Sequence, residues 1–145
     1  FKEDNIMVQI ISGNRGKGKT RYLLEKVNSA IKEAHGSICY LDKNTKHMFE
    51  LNNKIRLIDV SSYPIHSYEG FLGFICGIIS QDHDLEQMYL DSFLKIAHVN
   101  DEDLETVIKD LIYIGEKFDV VFVLSISRDN AFLPKIAQEK TIIAL

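Results

Sequence analysis

The chain has no tryptophan and only two prolines and two cysteines among its 145 residues. Two cysteines cannot staple a secreted disulfide scaffold, and no metal-ligand cysteine spacing exists. Cys39 and Cys76 each lie inside an apolar run, so both are expected to be buried free thiols in a reducing compartment. Long hydrophobic runs are missing too. The longest, residues 71–79, falls well short of the roughly 20 residues a helix needs to cross a bilayer, so no membrane insertion is expected. The polar residues 1–6 carry no signal-peptide core, and Met7 stands directly before the first strand. Residues 1–6 are therefore expected to be a non-native or flexible leader, and the protein cytoplasmic. Positive charge is not in excess: 17 Lys and Arg face 21 Asp and Glu, which argues against a broad nucleic-acid surface.

What is present is alternation. Residues 6–11 form a short β-branched run that stops at Ser12-Gly13, the pattern of a strand feeding a loop. Leu23, Val27, Ala30, Ile31 and Ala34 then fall on one helical face, and Gly36 is expected to close that helix. Residues 37–41 read as a second strand ending at Asp42, and residues 54–60 as a third strand at a sheet edge. Ser67 caps a helix through Ile79, whose Gly70, Gly73 and Gly77 predict close approach to neighbours. Residues 87–91 suggest a fourth strand. A helix follows from Asn100 or Asp101 to Lys117, opened by three acids and striped by Leu104, Val107, Ile108, Leu111 and Ile114. Residues 120–124 read as a central buried strand, residues 134–138 as a short helix and residues 141–145 as a last strand. The expected fold is a single α/β domain over residues 1–145, a three-layer sandwich with a mostly parallel sheet flanked by helices. In such sheets ligands bind beyond the carboxyl ends of the strands.

The loop after the first strand carries the chemistry. Gly13-Asn14-Arg15-Gly16-Lys17-Gly18-Lys19-Thr20 matches the pattern G-x-x-x-x-G-K-[S/T]. Glycines let successive backbone N–H groups turn inward as an anion-binding nest, and the following helix adds its N-terminal dipole. Lys19 is expected to reach the β- and γ-phosphates as the catalytic residue, and the Thr20 hydroxyl to ligate Mg²⁺. Arg21 extends the basic cluster formed with Arg15, Lys17 and Lys19, which is expected to serve a nucleotide rather than nucleic acid. The strand before the loop and the helix after it are the context that the motif requires.

With these residues the chain resembles the P-loop NTPase superfamily, in the RecA-like branch that places an extra strand between its two nucleotide motifs. It also resembles small bacterial P-loop proteins labelled twitching-motility (pilus-retraction) ATPases. The resemblance implies the P-loop fold, ATP and Mg²⁺ as ligands, and a protein partner or homo-oligomer. It further implies an acid at the end of a neighbouring strand, on the magnesium side. Asp91 fits, after Met88-Tyr89-Leu90; Asp42, after Ile38-Cys39-Tyr40-Leu41, is the rival. Many ATPases of this branch follow that aspartate with a glutamate that orients water, and here the residue is Ser92. Glu86 or Glu69 would have to approach from elsewhere. Ser125 stands where related ATPases put a γ-phosphate sensor, with Ser127 and Arg128 beyond, and Arg128 or Arg56 could act as an arginine finger.

The reading is a Mg·ATP-binding protein with weak or partner-stimulated hydrolysis. The alternatives are a non-hydrolysing nucleotide switch, with residues 43–53 as its mobile element, and a small nucleotide kinase. The kinase is disfavoured because the only arginines are Arg15, Arg21, Arg56 and Arg128. Guanine specificity usually needs an Asn/Thr-Lys-x-Asp motif, whereas Asn44-Thr45-Lys46-His47 comes early and lacks the aspartate, so ATP is preferred.

Overall fold

The structure, a computed structural model, describes residues 6–145. The expected leader therefore lies outside the described residues, apart from Ile6. In chain order the elements are β1 (Val8–Ser12), α1 (Lys19–Glu33), β2 (Ser37–Asp42), β3 (Arg56–Asp59), α2 (Tyr68–Ser80), β4 (Leu85–Leu90), α3 (Phe93–Ile96), α4 (Leu104–Phe118), β5 (Val121–Ile126), α5 (Lys135–Glu139) and β6 (Thr141–Ala144). All six strands run parallel in the order β3-β2-β4-β5-β1-β6. This is the three-layer α/β architecture expected from the alternation, with β3 at an edge and β5 in the interior.

Each strand sends alternate side chains to opposite faces. Val8 and Ile10, Cys39 and Leu41, Met88 and Leu90, and Phe122 and Leu124 pack with the buried stripes of α2 and α4 in the larger core. Ile11, Ile38, Tyr40, Tyr89 and Val123 point the other way and meet Leu23, Leu24, Val27 and Ile31 of α1. Two helical layers thus cover both faces, which is why the interior strands are apolar without alternation. Among the described residues no helix is long and apolar enough to cross a membrane.

Several local expectations change. Helix α2 begins as read, with Ser67 Oγ accepting from the Gly70 N–H at 3.0 Å, a cap worth about 1 kcal/mol. Its glycines do not mark close approach, however: a Cβ on Gly73 or Gly77 would meet nothing within 4 Å. The helix buries Phe71, Ile75 and Ile79 on one face only, and the glycines sit on the outer one. Cys76 lies on that outer face as well and is exposed, contrary to the expected burial, because it follows Ile75 by about 100° around the helix axis. Cys39 is buried, and burial pushes its thiol up to about 11. Gly36 is not the cap of α1, whose C-cap is Ala34; a Cβ on Gly36 would lie 1.9 Å from the Asp84 carbonyl oxygen, so it is glycine for contact with the loop before β4. Gly115 of α4 plays a similar part, since a Cβ would come within 2.8 Å of Met7 Cβ. After β4 the chain forms the short helix α3, for which no element was expected. Ser92 and His98 bracket it, both left-handed with φ of 55° and 56°.

Candidate functional site

The carboxyl ends of β1, β4, β5 and β2 meet along one rim, and the polar residues buried in the molecule collect there: Ser12, Lys19, Asp42, Asp91 and Ser125. Between β1 and α1 the loop turns through Gly16 and Gly18, with φ of 87° and 90°, a conformation that any other residue would adopt only under strain. Gly13 answers a different need. A Cβ there would lie 3.0 Å from the Leu145 side chain, so the loop leaves β1 hard against the end of β6.

Lys19 opens α1 with its side chain turned back into the loop, where Nζ donates to the Asn14 carbonyl at 3.2 Å. Burial lowers its pKa, with Asp91 opposing that shift and Arg15 adding to it. The next residue reaches across the sheet: Thr20 Oγ1 donates to Asp91 Oδ1 at 3.2 Å. Asp91 is held from every side. Ser125 Oγ donates to Oδ1 at 2.7 Å, the Ser92 N–H at 2.9 Å, and Tyr40 Oη donates to Oδ2 at 2.8 Å. Tyr40 stacks on Tyr89 with ring planes 9° apart. Its phenol is raised far above the usual range by burial and by the adjacent carboxylate, so it stays a neutral donor.

Asp42 closes the neighbouring strand, hydrogen-bonded through Oδ1 to the Lys43 N–H at 2.7 Å. Burial and the Asp91 charge raise its pKa to about 6. Strand β5 lies between the strand that feeds the loop and the strand that delivers Asp91.

In front of this rim opens a cleft of about 630 Å³. Arg15, Lys19, Lys43, Lys95 and Arg128 line it, and among the described residues no carboxylate does. A cavity walled by cations, glycine-rich backbone and a helix N-terminus has the chemistry to hold a polyanion. The donor set suits a hard divalent cation as well. The Thr20 proton points at Asp91, which leaves its oxygen lone pairs available, and Asp91 supplies the compensating charge. Because no group of three or more His, Cys, Asp or Glu among the described residues could hold a metal, phosphate oxygens and water would complete such a site.

Gly16, Gly18, Lys19, Thr20 and Arg15 line the cleft, while Asn14 contributes its carbonyl to Lys19. Lys17 N–H donates to the same carbonyl at 3.3 Å, and the Lys17 side chain is exposed. Arg21 is directed away, 3.5 Å from Glu25 on the outer face of α1. Ser125 faces Asp91 and the Ser92 N–H instead of open space. Arg128 lines the cleft and pairs with Asp101 at 3.0 Å. Arg56 sits at the opposite end of the sheet, 3.7 Å from Asp82, and Glu86 is held there too by the Gly36 N–H at 2.7 Å. Neither reaches the rim. Sequence reasoning missed Tyr40, Lys43 and Lys95. Lys43 carried one signal, its place directly after a buried strand-end acid; Tyr40 and Lys95 carried none.

No family model matches the chain, and no curated protein matches it. Among solved structures it is similar to the flagellar accessory protein FlaH from Methanocaldococcus jannaschii, with a TM-score of 0.51 at 12% identity. The match covers 92% of this chain and 66% of that one. At that identity the likeness is one of fold: the three-layer α/β arrangement recurs with few shared residues.

Proposed function

We propose that the chain binds Mg·ATP on the loop of residues 13–20 and hydrolyses it slowly by itself, with a protein partner or second copy raising turnover. The observation that carries this reading is the Thr20–Asp91 hydrogen bond, which joins the end of the loop to a buried acid two strands away in the sheet. The insertion of β5 between those strands is the order expected of the RecA-like branch. A cytoplasmic location follows from the same reading.

The loop N–H groups and Lys19 hold the β- and γ-phosphates, Arg15 lies alongside, and Thr20 with Asp91 would hold Mg²⁺, which would neutralise phosphate charge. In hydrolysis a water oxygen bonds to the γ-phosphorus as the bond to the β–γ bridging oxygen breaks, and ADP leaves. Ser92 has no carboxylate to orient that water. Asp42 is the carboxylate on the adjacent strand, and its pKa near 6 lets it accept the water proton close to neutrality. Its carboxylate is buried and does not itself line the cleft, which is the reason for slow unassisted turnover, since phosphoryl transfer depends on positioning.

One observation favours the switch alternative. Phe49, 92% exposed, follows Lys43 by six residues, in a segment that α1 holds through Asn28. A change at the phosphate cleft would therefore move an apolar side chain that already faces solvent.

The test is equilibrium binding of a fluorescent ATP analogue with and without Mg²⁺, alongside phosphate release. Lys19→Ala is expected to lose about 1.5–3 kcal/mol, or about 10- to 100-fold in affinity, as a charge-assisted phosphate contact disappears. Equal affinity in that variant would overturn the reading.

A further inference from the structure

Beside the phosphate cleft lies a second cavity of about 400 Å³, a size that suits a small organic ligand. It forms where the loop after β2, the turn Val60–Ser62 with the chain that follows it, and α3 converge. Val60, Tyr63, Ile65 and Ile96 make its apolar walls. Lys43 and Lys95 stand on its boundary, because they line the phosphate cleft as well. His66 and His98 add two imidazoles, and among the described residues no carboxylate lines the space.

The polar groups divide into two kinds. Ser61 Oγ is occupied by Asp59 at 2.6 Å and Asn44 Oδ1 by the Lys46 N–H at 2.9 Å, so both serve the loops themselves. Among the described residues, by contrast, Lys43, His66, Lys95 and His98 make no side-chain ion pair. His98 reaches the cavity through a left-handed turn, closed by the Val99 N–H donating to the Leu94 carbonyl at 3.0 Å. Leu94 and Val99, the two ends of that bond, line the phosphate cleft instead. One strained turn thus shapes both spaces.

We propose that this cavity binds a small, largely apolar or aromatic molecule bearing one anionic group. The apolar part lies against Val60, Ile65 and Ile96, and the anion sits at Lys43 and Lys95. Apolar walls alone would take a neutral ligand, and the lysines alone would take inorganic phosphate; their combination on one wall selects an amphipathic anion. Because both lysines also face the cleft, the second ligand lies beyond the terminal phosphate of the nucleotide. That last point rests on the nucleotide reading above, whereas the cavity and its unpaired cations do not.

The test titrates phenyl phosphate, and separately inorganic phosphate, into protein saturated with the non-hydrolysable analogue Mg·AMP-PNP. Phenyl phosphate is expected to bind one-to-one and at least about tenfold more tightly than inorganic phosphate, from burial of its ring. Ile65→Asp and the exposed-site variant His66→Glu line only the second cavity, and each is expected to weaken phenyl phosphate at least about fivefold while AMP-PNP affinity holds. The proposal is overturned if phenyl phosphate fails to bind the AMP-PNP complex, binds no better than phosphate, or ignores both variants. If AMP-PNP itself does not bind, the same titration on nucleotide-free protein decides. Binding sensitive to Ile65 and His66 then supports the cavity and sinks only the nucleotide reading.

Discussion

Asp91 and Asp42 end neighbouring strands at the same rim, each 3% exposed, yet their surroundings differ. Asp91 accepts hydrogen bonds from Thr20, Tyr40, Ser125 and the Ser92 N–H; Asp42 accepts from the N–H of Lys43. Burial disfavours a carboxylate's charge, and hydrogen bonds to the charged form favour it. The first acid is therefore fixed in place by four donors, the arrangement needed to present a carboxylate to a cation. The second is built to change protonation near neutral pH, the arrangement needed to accept a proton. Two residues of one type acquire two roles through the donors that the fold places around them.

Removing Asp91 breaks the comparison most severely. Asp91→Ala strips the buried Tyr40 hydroxyl of its acceptor and Thr20 and Ser125 of theirs, so a loss of about 3 kcal/mol is expected in urea unfolding. Asp91→Asn keeps most of the shape and discards the charge. It should fold, lose the Mg²⁺ enhancement of nucleotide affinity, and lower the Asp42 pKa below its value of about 6 as the repulsion between the two disappears. Carboxyl NMR titration reads that shift. A native-like Mg²⁺ dependence in Asp91→Asn would show the charge to be dispensable.

Asp42→Asn probes the other side. The Asp42 pKa is raised in the folded state from 3.8 to about 6. The native protein therefore holds a proton there that the unfolded chain has released, and stability falls as pH rises between those values. The cost is complete above about 6 and absent below 3.8. Asparagine still accepts from the Lys43 N–H but carries no charge, so the variant should be more stable at pH 7 by about 2 kcal/mol, discounted for solvent screening, and should flatten the slope. Phosphate release should fall in the same variant. Unchanged release would leave Asp42 a structural acid.

The contrast between these acids also separates what sequence can carry from what it cannot. Both aspartates were visible as acids terminating apolar runs, and the loop was visible as an ordered spacing, because a strand end and a nest are local events. The partners were not. Tyr40 reads as one more apolar strand residue until β2 and β4 are paired and its hydroxyl meets a carboxylate 51 positions away. Arg21 looked continuous with the basic cluster, but the helix turns it outward to Glu25. Cys76 and the α2 glycines were misread for one reason: an apolar run says that a helix packs, not which of its faces does. Helix α3 is four residues long, too short for any periodicity, so Lys95 had no element to place it.

Tyr40→Phe sharpens the comparison with a smaller effect. It removes one donor from Asp91 and keeps the ring, so the stack on Tyr89 persists. A hydrogen bond to a charged group is worth about 1.5–3 kcal/mol, and three donors remain, so the lower end is expected in urea unfolding. Oδ2 then loses its donor, and the Asp91 carboxylate moves one step toward the situation of Asp42. Nucleotide affinity should change little, because Thr20 contacts Oδ1. A large loss of affinity would mean that the phenol also fixes the angle of the carboxylate.

The smallest effect concerns Ser92, where a water-orienting glutamate would have followed the acid. Its φ of 55° places it in the left-handed region, and its side chain makes no capping bond to α3. What it offers Asp91 and Ser125 is its backbone N–H, at 2.9 Å and 2.8 Å. Glycine would offer the same N–H without the left-handed penalty of about 1–2 kcal/mol, against a larger loss of backbone entropy on folding that costs about 0.5–1 kcal/mol. Ser92→Gly should therefore be more stable by about 0.5 kcal/mol and release phosphate at the parental rate. A fall in release without a fall in stability would make the Ser92 hydroxyl part of the chemistry, and the water would then be held from β4 rather than from β2.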